Sequence, residues 1–341
     1  MLNVSEAAAH RLGVLDGWRG ISILLVLCGH LLPLGFKGSI NNAAVAATGM
    51  VIFFNLSGFL ITQFLLKGQP VRSFLIRRGF RILPLAWLYM LLAIMLYPIP
   101  RADFLPLFAF YANLPPFYLE DVTGHLWSLC VEVQFYLSVA LIVAVFGRAA
   151  LRILPLLCVF VTGIRIYTGT HISIVTWVRI DEILAGATLA LVYTNHPGLL
   201  KYISMSGWLT GILFLFTILS AYEFSGFLGY LRPYLAALCI GSTLTNSRGR
   251  LHSILTSRML AYLAEISFAL YVFHPMLSHS WLGSGSRLVK YLKRPLLCGV
   301  LVAIAHCSTR YFERRLNGWG HRLTRTEAIA PLGPPSVGTA S

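Results

Sequence analysis

Long apolar runs recur along nearly the whole chain, and they limit its fold more than any other feature of the sequence. Each run is long enough for a helix to cross a hydrocarbon core of about 30 Å, and a helix satisfies its own backbone hydrogen bonds in lipid. Transmembrane β-strands would be shorter and would alternate apolar with polar residues, which these runs do not. We therefore predict an all-α, polytopic membrane protein of about ten transmembrane helices. The predicted spans are 15–35, 46–66, 82–99, 127–147, 150–167, 177–194, 207–222, 228–246, 259–282 and 289–309.

Composition favours one membrane domain. Of the 341 residues 57% are hydrophobic and 11% are charged, and the mean hydropathy is +0.74, far from the balance of a soluble domain. No linker, charge block or internal repeat divides the chain. We predict a cytoplasmic N-terminal segment over residues 1–14, a membrane domain over 15–312 and a short, largely disordered cytoplasmic tail over 313–341.

The basic residues indicate how the chain is oriented. Most of the 27 Lys and Arg residues fall in segments on the side of the N-terminus, so the positive-inside rule favours cytoplasmic termini. Glu6 lies in the leading region and no cleavage site follows the first apolar run, which we therefore expect to remain as a helix. The net charge of +15 is spread among loops, whereas a nucleic-acid-binding face gathers its charge, so we predict no nucleic-acid partner. Four basic residues on the opposite side weaken the orientation near the C-terminal end: Arg287, Lys290, Lys293 and Arg294.

The six cysteines lie in apolar spans without CxxC spacing. They predict neither a disulfide framework nor a metal site, and packing explains them.

Arg19 and His30 lie eleven residues apart within the first apolar run. That spacing is close to three helical turns, so both side chains would lie on one face, about 16 Å apart. Ionisable groups are costly inside a membrane and mark functional sites there. We predict that chemistry takes place near this pair.

Three arginines precede the third predicted span. Arg77, Arg78 and Arg81 form one cationic cluster if this segment is helical. Guanidinium groups bind phosphates with paired hydrogen bonds, so the cluster is a candidate phosphate site. Anchoring of the helix on anionic lipid is the alternative.

The fourth predicted span begins with a second polar group. His125, Ser128 and Glu132 share one helix face, on the side of the membrane to which the topology assigns His30. A histidine oriented by a carboxylate is the usual general base for a hydroxyl. A buried polar pair that only locks two helices together is the alternative. Further ionisable residues in apolar spans are Asp181, Glu182, Glu265 and His274.

The long outside loop from Pro100 to Gly124 carries Asp103, Glu120 and Asp121 among aromatic residues. This composition suits the mouth of a sugar-binding site, and an aromatic belt at the membrane interface explains the rings equally well.

The sequence resembles the membrane acyltransferase-3 family, whose members O-acylate cell-surface carbohydrates and related acceptors. Five blocks carry the resemblance, in the family's order, from residue 15 to about residue 280. They read LDGWRG from Leu15 with His30 after it, FFNLSGFLIT from Phe53, RRGFRILP from Arg77, HLWSL from His125 with Glu132 and Tyr136 after it, and EISFALYVFHP from Glu265.

The resemblance implies an acyl-CoA donor, commonly acetyl-CoA, a carbohydrate or lipid-linked glycan acceptor, and no permanently bound cofactor. It also implies a multi-pass protein of a bacterial inner membrane, in contact with membrane lipid. Arg19 and His30 match the family's arginine-x10-histidine motif, Arg78 and Arg81 its RxxR motif, and Glu132 the carboxylate of its SLxxE block. The chain departs from the family at Val51, where an acidic residue is common, so the resemblance does not transfer the identity of the acceptor.

These observations combine into one mechanistic hypothesis. The arginine cluster would hold the CoA phosphates, and His30, polarised by Glu132 or His125, would deprotonate the acceptor hydroxyl, either for direct attack or in an acyl-histidine relay. A transporter or flippase of an envelope glycan or acyl donor, without covalent chemistry, is the alternative, and a non-catalytic partner in envelope assembly is a third. The predicted catalytic residues are His30, Glu132 and His125, and the predicted substrate-binding residues are Arg19, Arg77, Arg78, Arg81, Trp127 and Ser128.

Overall fold

The computed structural model describes residues 4–35, 40–246 and 249–325, which contain fifteen α-helices and no strand. The all-α prediction is therefore confirmed for the part of the chain that is described. The helices are α1 Val4–Leu31, α2 Ile40–Leu66, α3 Val71–Leu96, α4 Phe104–Phe108, α5 Trp127–Phe146, α6 Leu154–Tyr167, α7 Asp181–Asn195, α8 Leu200–Ile203, α9 Gly207–Leu219, α10 Leu228–Leu244, α11 Arg250–Leu255, α12 Arg258–Ser278, α13 Arg287–Leu292, α14 Arg294–Cys307 and α15 Arg314–Arg325.

Seven helical segments of the described residues are long and apolar enough to cross a membrane. The pair Pro197–Ile203 and Gly207–Leu219, bent by 85° at the break between them, makes eight if it is one span. The predicted count of about ten is not confirmed, because α7 and α10 have 15 and 17 residues and reach only about 22 and 26 Å. The seven segments are Gly13–Leu31, Ile40–Leu66, Val71–Leu96, Gly124–Phe146, Arg148–Tyr167, Arg258–Ser278 and Arg294–Arg325.

Helix α2 lies at the centre of the bundle, packed between α1 and α7. Glycines of α2 allow its backbone to contact the backbones of α1 and α7 directly. A Cβ atom added at Gly58 would lie 1.9 Å from the carbonyl oxygen of Ile183 on α7, and one added at Gly49 would lie 2.6 Å from that of Ser22 on α1. Small residues at such crossings are how membrane helices gain close packing. This packing fixes α1, and therefore His30, against the rest of the bundle.

The two ends of the bundle differ in chemistry. We call the end where α2 finishes and α3 begins the arginine end, since Arg78 and Arg81 lie there. We call the end where α1 and α12 finish the histidine end, since it holds His30 and His274. Helix α5 starts at the histidine end, just after the long loop that follows α3.

The first part of the predicted tail is helical. Beyond α14, a π-helical segment over Ser308–Glu313 leads into α15. Helix α15 packs on α3 because Gly320 lies against Phe80 and Thr324 accepts a 2.8 Å hydrogen bond from Arg77 Nε. Residues 326–341 lie outside the described residues, and the predicted domain boundaries stay a prediction.

A network of five charged side chains is buried between α6, α7 and α10. Arg165 pairs with Asp181, and Glu182 lies 2.9 Å from Arg232 Nε and 3.2 Å from Arg179 Nε. All five side chains are at most 3% exposed. Arg165 and Arg232 also donate to the carbonyl of His171, at 2.7 and 3.0 Å, and thereby tie the loop before α7 to the helices.

Candidate active site

A cavity of about 460 Å³ opens at the histidine end. His30, the last but one residue of α1, is exposed and lines it. The other walls come from the short turn before α5 and from the end of α12. The lining residues are Gly29, His30, Asp121, Gly124, His125, Trp127, His274, Pro275, Ser278 and His279.

His30 is paired with His274, a partner that the sequence reasoning did not assign to it. Nδ1 of His30 lies 2.7 Å from Nε2 of His274, and the two rings stack with centroids 4.9 Å apart. Nδ1 of His274 lies 2.7 Å from the carbonyl oxygen of Tyr271. A carbonyl oxygen only accepts, so the neutral His274 ring carries its proton on Nδ1 and accepts from His30 through Nε2.

This chain of hydrogen bonds sets the tautomer of His30. With the proton of His30 on Nδ1, the lone pair of Nε2 is left for a group in the cavity. An imidazole held in one tautomer by its second nitrogen is the arrangement of a general base. The prediction that chemistry centres on His30 thus agrees with the geometry, although its role stays a prediction.

His125 packs behind this pair. Its ring centroid lies 5.4 Å from that of His274, and its Nε2 lies 3.1 Å from the carbonyl oxygen of Val272. His125 is buried, and its Nδ1 has no hydrogen-bond partner among the described residues. The pairing expected between His125 and His30 is therefore not seen, and the His125 ring instead packs edge-to-face against the His274 ring.

Glu132 lies elsewhere, so its predicted pairing with His30 is wrong. Its carboxylate accepts a 2.6 Å hydrogen bond from Ser57 Oγ and another from the hydroxyl of Tyr136. Seven residues separate Glu132 from His125, about 10 Å along a helix, and this rise carries the carboxylate away from the histidine end.

A second, narrower cavity of about 50 Å³ holds Glu132 together with Arg19, Arg78 and Arg81. Arg19 lies 3.3 Å from Asp16, and the Arg78 guanidinium lies over the Tyr136 ring, 5.7 Å from its centroid. Three cations facing one buried carboxylate leave an excess of positive charge, which suits an anionic ligand. Arg19, predicted as the partner of His30 on one helix face, thus lines the same cavity as Arg78 and Arg81, and the role of these arginines stays a prediction.

Arg77 does not line this cavity, contrary to the prediction that it acts with Arg78 and Arg81. Its Nε donates to Thr324, and its guanidinium lies 5.7 Å from the centroid of the Phe64 ring. Adjacent helical residues point about 100° apart, so Arg77 faces α15 while Arg78 faces the cavity.

Trp127 and Ser128 are neighbours at the start of α5 that contact different parts of the site. Trp127 lines the wider one and is held between the Phe54 ring, with centroids 5.7 Å apart, and the Arg179 guanidinium, 5.1 Å from the ring centroid. Ser128 Oγ lies 2.6 Å from the hydroxyl of Tyr271, which also donates to the carbonyl of His125 at 2.5 Å. The Tyr271 ring lines the narrow cavity while its own carbonyl holds His274, so this residue connects the two sites.

Four residues of this arrangement were absent from the predicted site: His274, Tyr271, Ser57 and Tyr136. Each lies within a block that carries the family resemblance. Tyr136 also lies one helical turn after Glu132, a spacing that predicts a side-chain contact. The sequence marks His274 as an ionisable residue in an apolar span, but its 244-residue separation from His30 conceals the contact between them.

Comparison with known proteins finds one matching family model and several relatives. The acyltransferase-3 family model, described as an acyltransferase domain, matches residues 12–308. The chain is 25% identical over 313 residues to the peptidoglycan O-acetyltransferase OatA of Listeria monocytogenes, covering 76% of this chain and 48% of OatA. It is 26% identical over 313 residues to YrhL of Bacillus subtilis, provisionally named a peptidoglycan O-acetyltransferase, covering 76% and 47%. The chain thus spans about half the length of these relatives, and no solved structure matches it.

Proposed function

Because the chain belongs to the acyltransferase-3 family, we propose that it is a membrane O-acetyltransferase that transfers acetyl from acetyl-CoA to a hydroxyl of a cell-envelope carbohydrate. The observation that carries this proposal is the hydrogen-bonded chain from the Tyr271 carbonyl through His274 to His30, which leaves Nε2 of His30 as a base at an open cavity. The names of the relatives support peptidoglycan or a similar glycan as the acceptor.

We orient the arginine end toward the cytoplasm of a bacterial cell, in its inner membrane. The excess of Lys and Arg in the loops of that end supports this orientation, and both termini would then be cytoplasmic. Acyl-CoA is a cytoplasmic metabolite, so its phosphates would meet Arg78 and Arg81 first. The histidine end would face the glycan.

The donor would be held by the narrow cavity. Arg78 and Arg81 would bind the CoA phosphates in paired, charge-assisted hydrogen bonds, and the pantetheine arm would run past Arg19 toward His30. Glu132 would act in this donor cavity, where its carboxylate offsets part of the positive charge of the arginines and accepts hydrogen bonds from Ser57 and Tyr136. On its way to the wider cavity the arm would pass Tyr271, which lines the narrow cavity and whose hydroxyl contacts Ser128.

The transfer step follows from the tautomer of His30. Nε2 takes the proton of the acceptor hydroxyl as the hydroxyl oxygen attacks the thioester carbonyl. The carbon–sulfur bond then breaks, and the CoA thiolate recovers the proton from His30. While His30 is protonated on both nitrogens, His274 accepts from its Nδ1 and holds the ring in place. Direct attack needs fewer steps than an acyl-histidine relay, and we adopt it.

An assay of purified protein with radiolabelled acetyl-CoA and a solubilised cell-wall glycan tests this function. We expect loss of thioester, release of free CoA, and a mass increase of one acetyl group on the glycan. A transporter would move its substrate without consuming thioester, so an unchanged acetyl-CoA concentration would refute the proposal.

Replacing the arginines of the narrow cavity should weaken donor binding. Arg78→Ala and Arg81→Ala each remove charge-assisted hydrogen bonds worth about 1.5–3 kcal/mol, so the Kd of CoA should rise by about tenfold or more. Arg77→Ala is the matched control: Arg77 binds Thr324 instead, and its loss should change the Kd less than threefold. Titration calorimetry with CoA measures all three. Equal Kd values in the three variants would contradict the phosphate assignment.

His274 should act as a positioning residue. His274→Ala removes the acceptor for Nδ1 of His30 and frees the ring to turn, so kcat should fall by about tenfold to a hundredfold. His274→Gln should recover much of this loss, because the amide oxygen can still accept from His30. A kcat of the alanine variant equal to that of the unmodified protein would contradict this role.

A further inference from the structure

The wider cavity contains a second set of polar groups, apart from the pair of His30 and His274. Asp121 ends the long loop after α3, and Ser278 and His279 lie at the end of α12. Asp121 and His279 are exposed to this cavity. The transfer mechanism gives none of these three residues a role.

The hydrogen bonds of these residues fix what they can offer a ligand. Nδ1 of His279 lies 2.9 Å from the carbonyl oxygen of Pro275, so the neutral ring carries its proton there and presents a lone pair on Nε2. Ser278 donates its hydroxyl proton to the same carbonyl at 3.0 Å, and its oxygen is left to accept. The Asp121 carboxylate has only acceptor atoms. Like Nε2 of His30, all three groups therefore present lone pairs to the cavity.

A cavity whose polar side chains are mostly acceptors selects a ligand that brings several donors. Neutral polyols do so through their hydroxyl groups, whereas an anion or a simple ester would face repulsion or leave the acceptors unpaired. Trp127 adds an aromatic ring with one donor, its Nε1–H, to the same wall, and contacts Phe54 and Arg179. Aromatic walls with a few placed polar groups are the usual composition of small-molecule sites, and the volume of about 460 Å³ lies within their range.

From this lining we infer that Asp121 and His279 form an acceptor subsite for a neutral sugar, binding hydroxyls next to the one that His30 deprotonates. The inference rests on the proposed acetyltransferase function and adds which part of the acceptor is recognised. Asp121 is the main determinant, since hydrogen bonds to a charged group are the stronger ones. The reacting hydroxyl is then selected by its neighbours on the ring.

The test compares acceptors that share a ring and a primary hydroxyl but differ in the remaining hydroxyls. The probes are tetrahydropyran-2-methanol and three glycosides: methyl β-glucopyranoside, methyl β-galactopyranoside and methyl N-acetyl-β-glucosaminide. The measured quantity is the ratio of kcat/KM for the best glycoside to kcat/KM for the ring alcohol, with acetyl-CoA as donor. We expect a ratio of about tenfold or more in the unmodified protein.

Asp121→Asn should lower this ratio about tenfold, mainly through a higher KM for the glycoside. His279→Ala should lower it as well, by a smaller factor. Glu120→Gln is the matched control, because Glu120 is an exposed neighbour that does not line the cavity, and its ratio should equal that of the unmodified protein.

Two results would overturn the subsite. One is failure of the unmodified protein to prefer a glycoside, seen either as a ratio near one or as hydrolysis of acetyl-CoA with no glycoside acetylated. The other is an Asp121→Asn ratio equal to that of Glu120→Gln. A purified protein that consumes no acetyl-CoA with any probe or with water would instead refute the proposed function itself, so the two failures are distinguishable.

Discussion

His30→Ala should reduce acyl transfer by about a hundredfold to ten-thousandfold while CoA binding is retained. The substitution removes the imidazole that lines the wider cavity but changes none of the residues that line the narrow cavity, of which Arg19 lies about three helical turns away on the same helix. Steady-state assays with acetyl-CoA and acceptor give kcat, and calorimetry with CoA gives the Kd. We expect kcat to fall and the Kd of CoA to stay unchanged.

Chemical rescue sharpens this test. Because His30 is exposed at a cavity of about 460 Å³, free imidazole can enter the space that the alanine leaves and act as the base. Added imidazole should therefore restore part of the activity of His30→Ala. His196→Ala, which changes an exposed histidine after α7, should keep full activity and show no response to imidazole. A His30→Ala rate within threefold of the unmodified protein would refute the role of His30 as base.

The fold class was predictable because apolar length is a local property. Runs such as 46–66 and 127–147 are long and apolar enough to predict a helix without reference to the rest of the chain. Helices α2 and α5 follow these two runs closely. The count of spans was less predictable, because α7 and α10 are short and their placement depends on packing against α2 and α6 rather than on their own hydropathy.

The sequence predicts which residues belong to the candidate site better than it predicts their pairings. Topology assigns a residue to one side of the membrane but gives no depth, and for that reason Glu132 was wrongly paired with His30. The true partner, His274, lies 244 residues away in sequence, and only the packing of α12 against α1 brings the two rings together. No pattern within one helix encodes such a contact.

The arginine cluster illustrates the same limit at shorter range. Helical phase predicts that Arg77, Arg78 and Arg81 are neighbours, but it does not say which of them faces a cavity. The answer depends on α15, whose Thr324 binds Arg77 across 247 residues of sequence. Since that segment was predicted to be largely disordered, its partner on α3 could not be foreseen.

The buried charge network should make Glu182 one of the most sensitive positions for stability. Glu182→Gln leaves the buried arginines Arg179 and Arg232 without their shared carboxylate, and removing one partner of a buried ion pair costs about 3–5 kcal/mol. The free energy of unfolding, measured by equilibrium titration with SDS in mixed micelles, should fall by about that amount. The same substitution should loosen the contact between Arg179 and Trp127.

Glu265→Gln provides the matched comparison within the same chain. Glu265 pairs with Arg314, but the two side chains are 42% and 54% exposed, and exposed ion pairs contribute about 1 kcal/mol or less. The two variants remove the same charge by the same chemical change, so the difference between them reflects the burial of Glu182 and its second arginine partner. An equal loss of unfolding free energy in both variants would mean that water reaches the buried charge network. The ion pair between Glu182 and Arg179 would then no longer explain how Arg179, in the loop before α7, is held against Trp127 at the wall of the site.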